Sequence, residues 1–187
     1  VEGRGLMAAA DVASVDVALP AGTRKVLLAG SGHDKGAALW KDYEVTRLDI
    51  DPSVEPDIVA SLTDMGAIGP FDVVYCSHAL EHLYPHEVHR ALVEFYRVLA
   101  PGGRAVIVVP DLEGVPATDD VLPGSTGLCG LHLYYGDPRE IPSNPHMAHH
   151  CGFVAETLRA ALKAAGFEAK TQRMGFYNLL GIGVRTA

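Results

Sequence analysis

The stretch Phe71–Pro110, FDVVYCSHALEHLYPHEVHRALVEFYRVLAPGGRAVIVVP, decides the fold. Two short apolar runs rich in Val, "FDVVYCS" (71–77) and "RAVIVVP" (104–110), flank a segment with a different period. In that segment Val88, Leu92, Phe95, Tyr96 and Leu99 recur at helical spacing, and "APGG" stops the helix. Runs that are apolar at nearly every position suit strands buried on both faces of a parallel sheet. Strand, helix and strand in this order make a parallel crossover unit.

The pattern extends outward in both directions. Upstream lie "KVLLA" (25–29), "EVTRLDI" (44–50) and "DIVAS" (57–61), with a short leading helix expected over residues 6–17. Downstream, "FVAETLRAALKAAGF" places Val154, Leu158, Ala161, Leu162 and Ala165 on one helical face and ends at Gly166. Two β-prone segments follow, "EAKTQRM" (168–174) and "YNLLGIGVR" (177–185). Alternating strands and helices predict a doubly wound α/β sheet in three layers, mostly parallel with an antiparallel last strand. The second and third strands stand too close for a crossover helix, which needs about 10–12 residues, so a turn is expected there.

At 187 residues the chain suits one domain, residues 1–187. Residues 111–151 are rich in Gly, Pro, His and Tyr and lack a sustained period. They follow the fifth strand at its carboxyl end, where open α/β sheets bind ligands, and read as a substrate-facing cap. The net charge of −8, with no cluster of Lys and Arg, argues against a nucleic-acid partner and for a small or weakly charged substrate. No apolar run approaches the roughly 20 residues that span a bilayer. The first residues show no basic region followed by an apolar core, so no secretory signal is read there. Cys76, Cys129 and Cys151 form no CxxC pair, which fits a reducing cytoplasm rather than a disulfide frame. Oligomeric state is not legible.

The turn after the first strand, Gly30, Ser31 and Gly32, permits close backbone approach to a ligand. A dinucleotide pattern would place a third glycine at Lys35, and Gly36 comes one residue late. A nicotinamide oxidoreductase is therefore disfavoured. Asp49, at the end of the second strand, suits ribose hydroxyls, although "DIDPS" is equally a turn sequence.

Taken together, "GSG", "LDIDPS", "FDVVYCSHALEHL" and "RVLAPGGRAVIVVP" resemble the class I S-adenosylmethionine-dependent methyltransferases, in particular a small bacterial branch. "HHCGFVAETLRAALKAAGFEAK" resembles that branch's ending. The resemblance implies a Rossmann-like fold, S-adenosylmethionine as cofactor and methyl transfer to a small molecule. It implies that Gly30, Ser31 and Gly32 hold the methionine part and that Asp49 takes the ribose hydroxyls. Ile50 would lie against the adenine, Ser61 and Leu62 would border it, and Ser77 and His78 would line the methyl-donor end. The family often has an acidic residue at Leu28, a glycine at Asp34 and an Asp at Ser61. Each lost polar contact would weaken binding by about 0.5–1.5 kcal/mol. Those departures also motivate an alternative, a non-catalytic or regulatory binding module on the same fold.

Histidine carries the remaining candidate chemistry. "HALEH" (78–82) spells H-x-x-E-H, in which His78 and His82 on one helix would share a metal with Glu81 as base. Pro85 follows too soon for the sustained helix this requires. His146 and His150 are also spaced for one helical face, with Cys151 or His132 as further ligands, but no zinc-type pair recurs elsewhere. No metal is therefore expected, and His78, His82, His146, His149 and His150 are candidates for the base that deprotonates the acceptor. Tyr134 and Tyr135 would shape its pocket.

Overall fold

The computed structural model describes residues 22, 24–35, 40, 42–125 and 127–186. The strands are β1 (Lys25–Ala29), β2 (Glu44–Asp49), β3 (Ile58–Val59), β4 (Phe71–Ser77), β5 (Leu99–Pro110), β6 (Glu168–Met174) and β7 (Asn178–Val184). They form a seven-stranded sheet in the order β3-β2-β1-β4-β5-β7-β6. β1 to β5 pair in parallel, and β7 runs antiparallel to both β5 and β6. The Rossmann-like α/β class read from the sequence is the one observed. The helix expected over 6–17 lies outside the described residues.

Alternating side chains of the central strands enter two cores. Leu27, Ala29, Val74, Cys76, Ile107 and Val109 face helix α1 (Pro85–Val98), through Val88, Leu92 and Phe95, and α3 (Ala155–Ala164), through Leu158 and Leu162. Val26, Leu28, Val73, Tyr75, Val106 and Val108 face the other way, against Trp40. Both faces of β1 and β4 are thus covered, which is why neither strand shows polar alternation. The helix α3 sits close on β7, since a Cβ added at Gly181 would lie 2.8 Å from Leu158 Cδ2.

Pro85 occupies the first turn of α1, where its missing N–H costs nothing, and the Tyr84 N–H donates to Glu87 Oε2 at 3.0 Å. At the other end, Arg185 donates to the carbonyls of Tyr96 and Arg97 (3.1 Å each) and of Leu99, which the helix end leaves unpaired. Between β2 and β3 only a 3₁₀ turn fits (Pro52–Val54), as the short spacing predicts. The third strand is shorter than its apolar run, because only Ile58 and Val59 find register partners on β2. The fifth is longer, because Leu99 already pairs with Phe71 before the irregularity at "APGG".

Residues 111–151 have a small core of their own, Val115, Leu122 and Leu133, and a short helix α2 (Gly130–Tyr135) that the sequence pattern did not announce. Six residues with one fully buried leucine are too few to register as a period. Asp111, 3% exposed, receives Arg173 Nε at 2.5 Å and fixes the start of this segment to β6. Among the described residues no helix is long and apolar enough to cross a membrane.

Candidate active site

Three loops meet at the carboxyl ends of the parallel strands. Gly30, at φ +70°, turns the chain out of β1, and a Cβ built on it would lie 2.4 Å from Ala79 Cβ and 3.9 Å from Leu62 Cδ1. The glycine turn, the loop after β3 and the loop after β4 therefore share one floor. The N–H groups of Gly30 and Ser31 both donate to the Leu48 carbonyl, at 2.9 and 3.0 Å, which fastens the turn to β2. At Gly32 a Cβ would meet no described residue within 4 Å.

Asp49 closes this turn. Its Oδ2 accepts the Gly32 N–H at 2.7 Å and its Oδ1 accepts the Asp51 N–H at 2.9 Å. An ionised carboxylate has about four lone-pair sites, so each oxygen keeps one for a ligand hydroxyl. Ile50 is 52% exposed, an apolar surface beside that carboxylate. Ser61 Oγ lies 2.9 Å from Thr63 Oγ1 and accepts the Thr63 N–H at 3.2 Å, so it organises its own turn. Leu28 is buried in the second core beside Trp40 and Tyr75.

Arg47 carries a role that nothing in the sequence pattern marked. Its guanidinium donates to the carbonyls of Gly32 (3.0 Å), Asp34 (3.1 Å), Val54 (2.9 Å) and Glu55 (2.8 Å). One side chain thus holds the loop after β1 against the loop after β2.

The loop after β4 is built on strain and burial. His78 has φ +49°, the left-handed region that a histidine rarely adopts, and its N–H donates to the Val108 carbonyl at 2.9 Å. Its Nδ1 lies 3.2 Å from Oε1 of Glu81, which is 1% exposed. Burial alone would raise the Glu81 carboxyl. The His78 contact and the nearby His82 and His149 outweigh that and hold it below its ordinary range. Only Leu80–His82 is helical, as one 3₁₀ turn, so His78 and His82 do not share a helix face.

His82 instead faces the segment 148–151. Its ring meets that of His149 edge to face, with centroids 4.9 Å apart. His82 Nδ1 lies 3.1 Å from the Ala148 carbonyl, and His149 Nδ1 lies 2.9 Å from that of Leu133. The N–H groups of His150 and Cys151 donate to the Glu81 carbonyl at 2.9 and 3.2 Å. Burial holds the His149 imidazole below its usual range. It likewise pushes the Cys151 thiol up to about 12.

The histidines of "NPHMAHHCGF" do not form one face. A single 3₁₀ turn, Pro145–Met147, is followed by extended chain at Ala148, which separates His146 from His150. His150 stacks on Tyr84 at 4.2 Å. His146 is exposed and lies near enough to Asp51 to help lower its carboxyl, behind the hydrogen bonds from Ser53. Tyr134 donates its hydroxyl to the Val115 carbonyl at 2.9 Å, and Tyr135 is 64% exposed.

The family model described as "Methyltransferase domain" matches residues 11–172. The chain belongs to this family. Methyl transfer is the chemistry of these methyltransferases, and S-adenosylmethionine is the cofactor. The fold is shared with the 1,6-didemethyltoxoflavin-N1-methyltransferase of Burkholderia thailandensis, solved with 1,6-didemethyltoxoflavin and S-adenosylhomocysteine. The identity is 19% and the TM-score 0.61, over 88% of this chain and 72% of that one. A TehB-like S-adenosylmethionine-dependent methyltransferase from Corynebacterium glutamicum aligns at 19% identity and a TM-score of 0.60, over 95% of this chain and 86% of that one. An O-methyltransferase family protein of B. thailandensis gives 17% identity and a TM-score of 0.64. That alignment covers 96% of this chain, which spans only 55% of that protein. Comparison by sequence with curated proteins finds no match.

This methyltransferase brings Gly30, Ser31, Gly32, Asp49, Ile50, Leu62 and His78 to one edge of the sheet, with Ser61 beside Leu62 and Ser77 at the end of β4. Among the described residues, nothing crowds Gly32 and Ile50 is exposed, which is compatible with an adenosyl ligand. Of the five candidate histidines, His78, His82 and His149 gather around Glu81, whereas His146 and His150 stand apart. The sequence singled out Glu81 only within a metal-protease pattern. Its buried position beneath three histidines became visible only once residues 148–151 were folded over it.

Proposed function

We propose that this methyltransferase acts on a small molecule held between the carboxyl edge of β1–β4 and the cap of residues 111–151. The observation that carries the reading is the meeting of the Gly30, Leu62 and Ala79 loops beside Asp49, whose carboxylate closes the Gly32 turn. Bound S-adenosylmethionine supplies an electrophilic methyl on a sulfonium. Gly30, Ser31 and Gly32 would hold its methionine part through backbone N–H groups and close approach. Asp49 would accept from the ribose hydroxyls, Ile50 and Leu62 would flank the adenine, and Ser61 would shape the loop beside it. Ser77 and His78 would line the methyl-donor end.

His78 is the favoured base, because Glu81 holds its Nδ1 while its buried Nε2 has no hydrogen-bond partner among the described residues. A base oriented in this way contributes about 10²–10⁴-fold. Alignment of the acceptor by the cap is the larger effect, about 7–11 kcal/mol at most. The acidic net charge of −8 supports a small acceptor over a nucleic acid, as does the Burkholderia relative with its bound 1,6-didemethyltoxoflavin.

Titration calorimetry with S-adenosylhomocysteine tests the cofactor site, and methyl transfer from labelled S-adenosylmethionine to a small-molecule panel tests the reaction. Saturable binding with transfer is expected, and absence of heat at millimolar ligand would overturn the reading. Leu28, packed in the core where the family often has an acidic residue, favours one second reading, a binding module without turnover. Binding without transfer to any acceptor would select it.

A further inference from the structure

We propose that Glu81, His82 and His149 form a binding site for one divalent first-row transition cation. Their side-chain ligand atoms all lie within 4.8 Å of one another. The pattern differs from the i, i+4 pair that "HALEH" spells, because the second imidazole comes from the cap.

Both imidazoles carry the backbone contact that supports metal-binding histidines. His82 and His149 each point Nδ1 at a backbone carbonyl, of Ala148 and Leu133 respectively. A carbonyl only accepts, so the proton sits on Nδ1 and the neutral ring keeps its lone pair on Nε2. This carbonyl contact is the outer support that fixes the tautomer and rotation of metal-binding histidines.

Glu81 supplies the charge. Its Oε1 faces His78, while its Oε2 is buried with no hydrogen-bond partner. A carboxylate oxygen so placed is an unsatisfied anion, and a cation bound by His82 and His149 satisfies it. Two imidazoles with one carboxylate suit zinc, cobalt, iron or manganese, whereas magnesium and calcium prefer oxygen ligands throughout. Metal–ligand distances of about 2.0–2.2 Å put tetrahedral ligand atoms about 3.4 Å apart, so a pair at the 4.8 Å limit must close by about 1.4 Å on binding. Both imidazole residues are only partly buried, so small side-chain shifts that keep the Nδ1 contacts can close that gap.

The test is titration of the chelator-stripped full chain with Co²⁺, followed by visible ligand-field absorption, and calorimetry with Zn²⁺. One equivalent of Co²⁺ should develop bands that Zn²⁺ abolishes. His149→Asn should weaken binding at least about tenfold. Glu81→Gln, which keeps the side-chain shape, should do the same and serves if the first variant does not fold. His150→Asn, the neighbouring histidine stacked on Tyr84, should bind as the parent does. No band and no heat at millimolar metal, or undiminished binding in the folded His149 and Glu81 variants, would overturn the assignment. Neither methyl donor nor acceptor is present, so the outcome is independent of the proposed methyl transfer.

Discussion

Gly30 and Ala79 touch so closely that a Cβ on the first would overlap the Cβ of the second, at 2.4 Å. This contact joins the turn after β1 to the loop after β4, and it sets how near the two halves of the proposed cofactor floor approach. Gly30→Ala meets both that overlap and a positive φ of +70°. Overpacking costs about 1–3 kcal/mol. A left-handed backbone without glycine adds about 1–2 kcal/mol. Gly32→Ala has φ +48° but open space, so it should lose only the second of these. Urea unfolding should therefore rank Gly30→Ala well below Gly32→Ala. Equal midpoints for the two would contradict the close contact.

Asp49 holds the turn and is proposed to hold the cofactor with the same carboxylate. Asp49→Ala removes acceptors for the Gly32 and Asp51 N–H groups as well as for the ribose. Hydrogen bonds to a charged group are worth about 1.5–3 kcal/mol, so affinity for S-adenosylhomocysteine should fall at least about tenfold. Asp49→Asn keeps one carbonyl acceptor and should fall between the parent and the alanine variant. Calorimetry on all three checks the order, with circular dichroism to confirm that each is folded.

The readable parts of the chain were those whose cause is local. β1, β4 and β6 match their apolar or β-prone runs residue for residue, and the glycine turn and Asp49 stand at the strand ends where the sequence puts them. What was not readable depends on distant chain meeting by shape. His82 contacts Ala148, 66 residues away, and Cys151 contacts the Leu80 carbonyl, 71 residues away. No spacing rule reports such pairs. The cap helix was hidden for the opposite reason, being too short to show a period. Leu28 lies in the core beside Trp40, a placement that a strand's apolar run does announce.

Arg47 is the residue that pattern reading passed over altogether. Its planar fork reaches four carbonyls of two loops at once, which a lysine's single ammonium cannot reproduce. Arg47→Lys should therefore behave nearly as Arg47→Ala does. Both should weaken S-adenosylhomocysteine binding several-fold by loosening the Gly32 turn, although Arg47 itself has no proposed cofactor contact. Amide hydrogen exchange should quicken at residues 30–35 and 52–55 in each variant. Full rescue by lysine would mean that charge, rather than the fork, holds the loops together.

Glu94 makes the acid side of the stability curve testable. Its carboxylate receives Arg97 Nε at 2.7 Å and the Met65 N–H at 2.8 Å, tying α1 to the loop after β3. The Arg97 hydrogen bond holds the carboxyl below its ordinary value of 4.5, with Met65 adding to the effect and burial opposing it. The unfolded chain therefore takes up this proton at a higher pH than the folded one. The contribution is fully present above about pH 4.5 and is lost as pH falls through the lowered folded value. Arg97 is 43% exposed, so solvent screens the pair and the effect is modest, about 1 kcal/mol at neutral pH. Glu94→Gln should be destabilised by about that amount at pH 7, and the gap to the parent should shrink as both are taken below pH 4. Urea midpoints measured from pH 7 down to pH 3 follow the gap directly. A constant gap across that range would show that the carboxylate charge contributes nothing beyond the hydrogen bonds that glutamine retains.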